Sequence, residues 1–408
     1  MSYTFIQNGN VTTPKGFKAA GVVGGVKPGN TTKRDIMMIA SDVPCTAAGV
    51  FTQNLVKSSA VLLTKKHLEN GTAQAVIANS GNANTCNADG MEKAEQMAKL
   101  AAENLGIAAE DVIVASTGVI GQVLPIEPFE KAVPEIAANM CEKGGSDAAE
   151  AIMTTDTVKK QAAVSVELSD KVITIGAIAK GSGMIHINMG TMLSFAATDA
   201  AISAEMLRSA LEEAVDVSYN MVSVDGDTST NDTLTIMANG IAGNDMITTR
   251  NADYAAFTEG LTALFKKMAR MLAADGEGAT KLIVCSVNGA KTKSDAKGAA
   301  KAVICSSLVK AAMFGADANW GRVLCALGYS GCDIDINKVD VAFSSKGGRV
   351  EVCKNGAGVE FSEELAKKVL LENEITIEVE LNDGNGTAEA YGCDLTYDYV
   401  KINGDYRT

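Results

Sequence analysis

The stretch KGSGMIHINMGTMLSFAATDA, Lys180 to Ala200, restricts this chain more than any other. Gly181, Gly183, Asn188 and Gly190 permit tight turns and positive φ; Thr191 follows the last of them directly, and Met192 to Ala197 is mostly apolar. A flexible approach that ends in an apolar run must deliver that run to the core. Two local outcomes fit. Thr191 can cap a buried helix start, or it can be the hydroxyl residue after a small residue that self-cleavage to an N-terminal nucleophile requires.

The core that receives this run has few aromatic side chains to draw on. Of 408 residues, 47% are hydrophobic and only 5% aromatic, with one tryptophan, Trp320, and 17 methionines. Ala, Val, Ile, Leu and Met must therefore fill it, as in packed α/β layers, and the length suits two domains or one large layered domain. A net charge of −13 argues against nucleic acid or an anionic membrane and for a small-molecule partner. The nine cysteines, at 45, 86, 141, 285, 305, 325, 332, 353 and 393, never fall in a C-x-x-C spacing, so neither a zinc site nor a disulfide framework is expected. The start, MSYTFIQNGN, lacks a signal-peptide pattern and no apolar run is long enough to span a bilayer, which together imply a reducing cytoplasm. His67 and His186 are the only histidines. A metal site built on several imidazoles is thereby excluded, and a Ser-His-Asp triad would have to use one of the two. His67, in KKHLEN, reads as a solvated helix residue.

In chain order, Asp35 to Ala40 and Gln74 to Ala78 are compact apolar runs expected to be strands. NSGNANTCNADG, Asn79 to Gly90, then forms a strand-to-helix loop whose amides can bond a ligand or merely its own backbone, a structural turn being the default. Met91, Ala94, Met97, Ala98, Ala101 and Leu105 share one face of a helix that Gly106 stops, and its methionines are expected in the core. Asp111 to Ala115 is a strand leading into Ser116-Thr117-Gly118, where a hydroxyl residue and a glycine can present donors to an oxyanion. An acidic, Ala-rich helical region runs to about Ile152, and MTTDTVKK, Met153 to Lys160, enters a hairpin of Gln161 to Leu168 and Lys171 to Ala179. Further on come a helix Ser203 to Asp216 capped by Ser203, and two strands flanking the loop with Asp225, Asp227, Asn231 and Asp232. That loop lacks the Gly and the final carboxylate of a calcium loop, so its polar residues are expected to satisfy one another. The long helix Tyr254 to Ala274 precedes DGEGAT, in which Glu277 stands between two glycines, where a carboxylate could hold an ammonium group or move a proton but is by default solvated. A strand Lys281 to Val287, a helix Ser294 to Met313, the segment GADANWGR and a strand-rich end broken by the helix Ser362 to Asn373 complete the chain.

Taken together, these segments resemble the ArgJ family of ornithine acetyltransferases, also called glutamate N-acetyltransferases. The resemblance covers nearly the whole chain. It is carried by PKGFKAAG at Pro14 to Gly21, NSGNAN at Asn79 to Asn84, STG at Ser116 to Gly118, TTDT at Thr154 to Thr157, and KGSGMIH with NMGTML at Lys180 to Leu193. VDGDTSTNDT at Val224 to Thr233, DGEGATK at Asp275 to Lys281, NWGR at Asn319 to Arg322 and the closing YVKINGDYRT add to it. Three positions depart from the usual pattern: Gly190 where Ala is common before the nucleophile, and Ile187 and Lys159 where Pro is often found.

The resemblance implies a layered α-β-β-α fold of a self-processing N-terminal-nucleophile enzyme. Such an enzyme moves acetyl from N2-acetylornithine to glutamate, without metal or cofactor. It implies cleavage between Gly190 and Thr191 into fragments 1–190 and 191–408, which stay intertwined and assemble as a heterotetramer of two copies each. Thr191 would be the nucleophile, and Thr117 and Gly118 the oxyanion hole. The substrate contacts would be Thr154 or Thr155, Lys180, Thr191, Glu277, Asn403 and Thr408, and His186 would be structural. Family members with and without acetyl-CoA as a second donor share these motifs. Two other readings of the residues remain open: a self-processing amidase or peptidase of the same fold, and an unprocessed amino-acid-binding protein.

Overall fold

Alternation along one strand accounts for how the larger part of the molecule is filled. In Ile36–Phe51, Ile36 and Met38 join one buried cluster while Met37 and Ile39 join another, because successive side chains leave a strand on opposite faces. The first cluster takes Leu63 from the helix Ser59–His67, Met97 and Ala98 from Gly90–Leu105, and Phe129 and Ile136 from Glu127–Asn139. The second takes Ala148, Ala149 and Ala151 from Gly145–Ala151. Small aliphatic residues dominate both, as the aromatic-poor composition predicts.

The computed structural model describes residues 2–186 and 192–405. These fall into two compact units, one of residues 2–181, 192–216 and 228–268, the other of residues 182–186, 217–227 and 269–405. Each unit thus draws on chain from both sides of Gly190.

Among the described residues, nine strands form the sheet of the first unit. Their order is Tyr3–Ile6, Lys160–Glu167, Val172–Lys180, Leu193–Thr198, Thr233–Ala238, Ile36–Phe51, Thr72–Asn79 and Val112–Ser116, with Phe17–Val22 also paired to Ile36–Phe51. Leu193–Thr198 lies antiparallel to Val172–Lys180 and parallel to Thr233–Ala238, and all six of its residues are buried. A helix start after Thr191 is therefore not what forms. The apolar run is a central strand, buried on both faces, where both neighbours supply partners for its backbone. Its register aligns Lys180, Leu193, Thr233 and Phe51 in one row across the sheet.

The second unit carries a six-stranded sheet in the order Ala357–Gly358, Gly348–Lys354, Asp340–Ser345, Glu374–Glu380, Leu282–Ala290 and Gly386–Cys393. Leu282–Ala290 pairs parallel with Glu374–Glu380 and the other pairs are antiparallel. EITIEVE turns Ile375, Ile377 and Val379 inward and its glutamates outward, the period-two pattern of a half-buried strand. A short ribbon joins Ile185–His186 to Ser223–Thr228.

Four local expectations change. The helix predicted over Ser294 to Met313 is two helices, Lys293–Cys305 and Ser307–Phe314, because Ser306 turns extended and its hydroxyl accepts from Val309 N–H as an N-cap. GADANWGR opens a helix, Trp320–Gly328, that hydrophobic spacing did not signal; Asn319 caps it by accepting from Arg322 N–H. Met91 is exposed rather than core. His67 is half-buried, and its Nδ1 donates to the Val112 carbonyl at 2.8 Å, so it ties a helix end to a strand instead of facing water. Among the described residues no helix is long and apolar enough to cross a membrane.

Candidate active site

In the first unit, the loop Asn79 to Asn84 acts as a mould for Thr117 and Gly118. Asn79 Nδ2 donates to the carbonyls of Ser80 and Asn82, and Asn82 Nδ2 donates to those of Gln122 and Val123, so the asparagines are spent on backbone as their density predicts. Thr117 N–H donates to the Asn79 carbonyl at 3.0 Å, and Asn82 bridges to both Thr117 and Val119. Gly118 has φ +134°, and a Cβ there would overlap the backbone of Gly81 and Asn82. Only glycine fits a position that is both left-handed and pressed on another backbone.

Asn231, from the polar loop before Thr233–Ala238, locks this mould. Its Nδ2 donates to the carbonyls of Ala83 at 2.6 Å and Ser116 at 2.7 Å, while its Oδ1 accepts from the Thr85 and Thr230 hydroxyls. All four bonding positions of the amide are used inside the protein. Asn231→Ala should take the amide donor from the buried Ser116 carbonyl and leave that of Ala83 only the Thr85 hydroxyl, lowering stability by about 1–3 kcal/mol. Thermal unfolding checks this; an unchanged Tm would mean that the loop is held some other way.

A second cluster in the same unit gathers at the end of Val172–Lys180. Asp156 Oδ1 accepts from Lys160 Nζ at 2.6 Å and from Gly181 N–H at 2.7 Å, while Oδ2 accepts from Thr154 N–H at 3.0 Å. The side chains of Asp156 and Lys160 are wholly excluded from solvent, and Lys180 is buried. Burial by itself opposes ionisation of Asp156, but Lys180, Lys160 and the bonds from Lys160 and Gly181 outweigh it and hold the carboxyl well below its ordinary range. Lys160 did not stand out in MTTDTVKK. The signal was its parity with Ala162, Val164 and Val166, the inward positions of the strand Lys160–Glu167.

Asp232 sits one residue before the row that contains Lys180, Leu193 and Thr233. It is fully enclosed, and burial pushes it well above its ordinary value against the N–H of Met192, the charge of Lys180 and the hydroxyls of Thr52 and Ser229. Among the described residues its Oδ2 has no hydrogen-bond partner, nor has the buried Ser116 Oγ. A carboxyl with a raised folded pKa contributes stability that is full below its unfolded pKa of about 3.9 and is lost as pH rises through the folded value. Asp232→Asn, which cannot ionise, should therefore gain stability relative to the parent as pH climbs from acid to neutral. Parallel Tm-versus-pH curves for the two proteins would contradict this.

In the second unit, Glu277 is buried rather than solvated. Its N–H donates to the Ser182 carbonyl at 3.1 Å, and its Oε2 accepts from Asn403 Nδ2 at 2.8 Å. Gly183 leaves the space for this: any Cβ there would overlap the Glu277 carboxylate. Asn403 lies on the helix Tyr397–Gly404 and also donates to the Tyr399 carbonyl. Two residues predicted from separate segments are thus in direct contact. His186 Nδ1 lies 3.1 Å from Ser223 Oγ and 3.6 Å from Cys305 Sγ, and burial followed by the charge of Lys301 lowers its pKa. Gly190, Thr191 and Thr408 lie outside the described residues.

The sequence matches known proteins along nearly its whole length. The ArgJ family model matches residues 18–408. The chain belongs to the ArgJ family. It is accordingly an acetyltransferase of arginine biosynthesis. Among ArgJ relatives, the arginine biosynthesis bifunctional protein ArgJ of Symbiobacterium thermophilum is 54% identical over 98% of this chain and 99% of its own. The ArgJ 1 protein of Clostridium acetobutylicum is 52% identical over 99% of this chain and 98% of its own. The solved structure of the ornithine acetyltransferase from Mycobacterium tuberculosis, complexed with ornithine, is 37% identical; it covers 47% of this chain and 100% of that one, with a TM-score of 0.43.

Proposed function

We propose that this ArgJ-family chain transfers the acetyl group of N2-acetylornithine to glutamate through an acetyl ester on Thr191, giving ornithine and N-acetylglutamate. The observation that carries the reading is family membership along nearly the whole chain, with the motif residues standing at their positions in this sequence. A solved relative bound to ornithine supports the substrate class. In this reading the Thr191 hydroxyl attacks the Gly190 carbonyl, the Gly190–Thr191 amide bond breaks as an ester forms, and water opens the ester. The products are a carboxylate on Gly190 and a free α-amine on Thr191, whose reference pKa of about 8 suits a general base. Fragments 1–190 and 191–408 then remain together, two of each in the assembly, and work in the cytoplasm.

In each cycle the Thr191 amine takes the proton of its own hydroxyl, the oxygen attacks the acetyl carbonyl, and Thr117 and Gly118 stabilise the oxyanion. Ornithine leaves with the proton, and the glutamate amine attacks the acetyl ester to release Thr191. Lys180 pairs with the α-carboxylate of either amino acid, Glu277 serves the amino end, and Thr154 or Thr155, Asn403 and Thr408 complete the contacts. The relatives' names carry the word bifunctional, and acetyl-CoA is the second donor this reading would add; an assay with acetyl-CoA in place of acetylornithine decides it. The test follows acetylornithine with and without glutamate. N-acetylglutamate should form at the expense of free acetate; acetate release that glutamate does not suppress would instead indicate a hydrolase.

A further inference from the structure

Residues 182 to 185 of the second unit are fastened at every step. Met184 stands in the left-handed region at φ +55°, unusual for a residue with a side chain, and that side chain is 43% exposed, so its packing does not hold it there. Backbone bonds do. Asp225 Oδ2 accepts from Met184 N–H at 2.6 Å and Oδ1 from Ile185 N–H at 2.8 Å, two successive donors that grip one anion. Oδ1 also accepts from Asp227 N–H at 3.2 Å. Burial raises the Asp225 pKa and these three bonds act against the rise, because they favour the ionised form. The residues just before Met184 meet Glu277. Glu277 N–H donates to the Ser182 carbonyl at 3.1 Å, and the Ser182 hydroxyl donates to the Asp275 carbonyl at 2.7 Å. A Cβ on Gly183 would stand 2.3 Å from the carboxyl carbon of Glu277, so the Gly183 backbone is the wall on which that carboxylate rests. The peptide joining Gly183 to Met184 carries the N–H that Asp225 accepts. One peptide unit thus separates Asp225 from the Glu277 wall.

We propose that Asp225 is the positioning residue for Glu277: by holding Met184 left-handed, it keeps Gly183 against the carboxylate that serves the amino end of the substrate. The part played by Glu277 in binding rests on the proposed acetyl transfer; the hold of Asp225 on residues 183 to 185 does not. Asparagine at 225 keeps the size but offers one acceptor oxygen where two are used, and sets an amide donor against a backbone N–H. Released from that bond, Met184 should return to a negative φ, which swings the Gly183–Met184 peptide and unseats Glu277.

Asp225→Asn tests this with two readouts on the full chain. Hydrogen exchange followed by mass spectrometry reports the amides of Met184, Ile185 and Glu277 without any need for activity. Steady-state kinetics give kcat and KM for acetylornithine and glutamate. Exchange should speed at all three amides, and kcat/KM should fall by about 10²-fold, most of it in KM. Adding Met184→Gly should return about tenfold of that loss, since glycine takes a left-handed φ without the penalty methionine meets. A merely structural role would lower Tm, leave KM in place and give Met184→Gly nothing to restore. Should Asp225→Asn fail to fold, Gly183→Ala decides: its methyl displaces the Glu277 carboxylate with the Asp225 bonds intact, so KM should rise while exchange at Met184 keeps the parent rate. Glu277→Gln, measured beside these variants, shows whether Glu277 binds substrate. Where Glu277→Gln raises KM, an unchanged KM in Asp225→Asn or in Gly183→Ala, or a raised KM that Met184→Gly does not lower, overturns the proposal. Unchanged exchange in Asp225→Asn overturns it whatever the activity. Where Glu277→Gln leaves KM in place, the functional reading of Glu277 fails alone, and exchange at Glu277 in Asp225→Asn decides the positioning role.

Discussion

Thr191→Ala should leave the protein as one chain of 42.3 kDa and abolish acetyl transfer together. Both effects share a cause. The hydroxyl that would attack the Gly190 carbonyl is the hydroxyl that would later carry the acetyl group, and alanine offers neither atom. Loss of a nucleophile costs on the order of 10⁴-fold or more in kcat even where the rest of a site is intact. The fold should survive, because the strand that follows is secured by its neighbours: Met192 accepts from Thr233 N–H, and Leu193 pairs with both Lys180 and Thr233. Thr191→Ser keeps the attacking oxygen and should retain both processing and turnover, at altered rates. Intact mass and a glutamate-dependent acetyl-transfer assay separate the outcomes. Turnover by Thr191→Ala would refute the nucleophile role, and a parent protein that stays uncleaved would remove the N-terminal amine from the mechanism.

How much of this was legible depends on whether the signal was local. The helix Gly90–Leu105 was, because Ala94, Met97, Ala98 and Ala101 repeat at helical spacing and Gly106, in a left-handed conformation, closes it with an N–H to the Ala102 carbonyl. The asparagine-rich loop was as well, since so many amides in a short segment have few uses other than holding backbone. By contrast, LSFAAT carries no mark that tells a central strand from a buried helix start; the decision is made by the two strands on either side of it. The burial of Glu277 was hidden because the group that accepts its N–H, Ser182, and the one that bonds its carboxylate, Asn403, are remote in sequence. Asp156 and Asn231 were visible as residues of polar motifs, but their partners lie in other segments: Gly181 for the first, and Thr85, Ala83 and Ser116 for the second. Family motifs marked the groups expected to touch substrate. They also contained Asp156, Asn231, Asn79 and Asn82, which hold backbone in place, without telling the two kinds apart.

Gly118→Ala should damage turnover far more than a single added methyl would suggest. At φ +134° an alanine is strained before any neighbour is considered, and its Cβ would overlap the backbone of Gly81 and Asn82. Neither neighbour can withdraw alone. Asn82 is bridged to Thr117 and Val119, its Nδ2 is bonded to the Gln122 and Val123 carbonyls, and its own carbonyl accepts from Asn79. On the far side, Ser116 is held by Asn231. The strain must therefore be relieved where the loop is least constrained, by rotating or shifting the peptide between Thr117 and Gly118. In the proposed reaction that peptide faces the oxyanion, which exists only in the tetrahedral intermediate and in the transition states on either side of it. A displaced donor weakens those states and leaves the ground state nearly untouched, so kcat should fall by about 10²–10³-fold with KM changed little. The amide that breaks in self-cleavage passes through a tetrahedral oxyanion of its own. If Thr117 and Gly118 serve both reactions, processing of Gly118→Ala should slow in proportion to turnover; if they serve only acetyl transfer, the variant should cleave at the parent rate and then turn over poorly. A time course of intact mass beside steady-state kinetics distinguishes these cases, and unchanged kcat in a folded, processed Gly118→Ala would remove the oxyanion role from this loop.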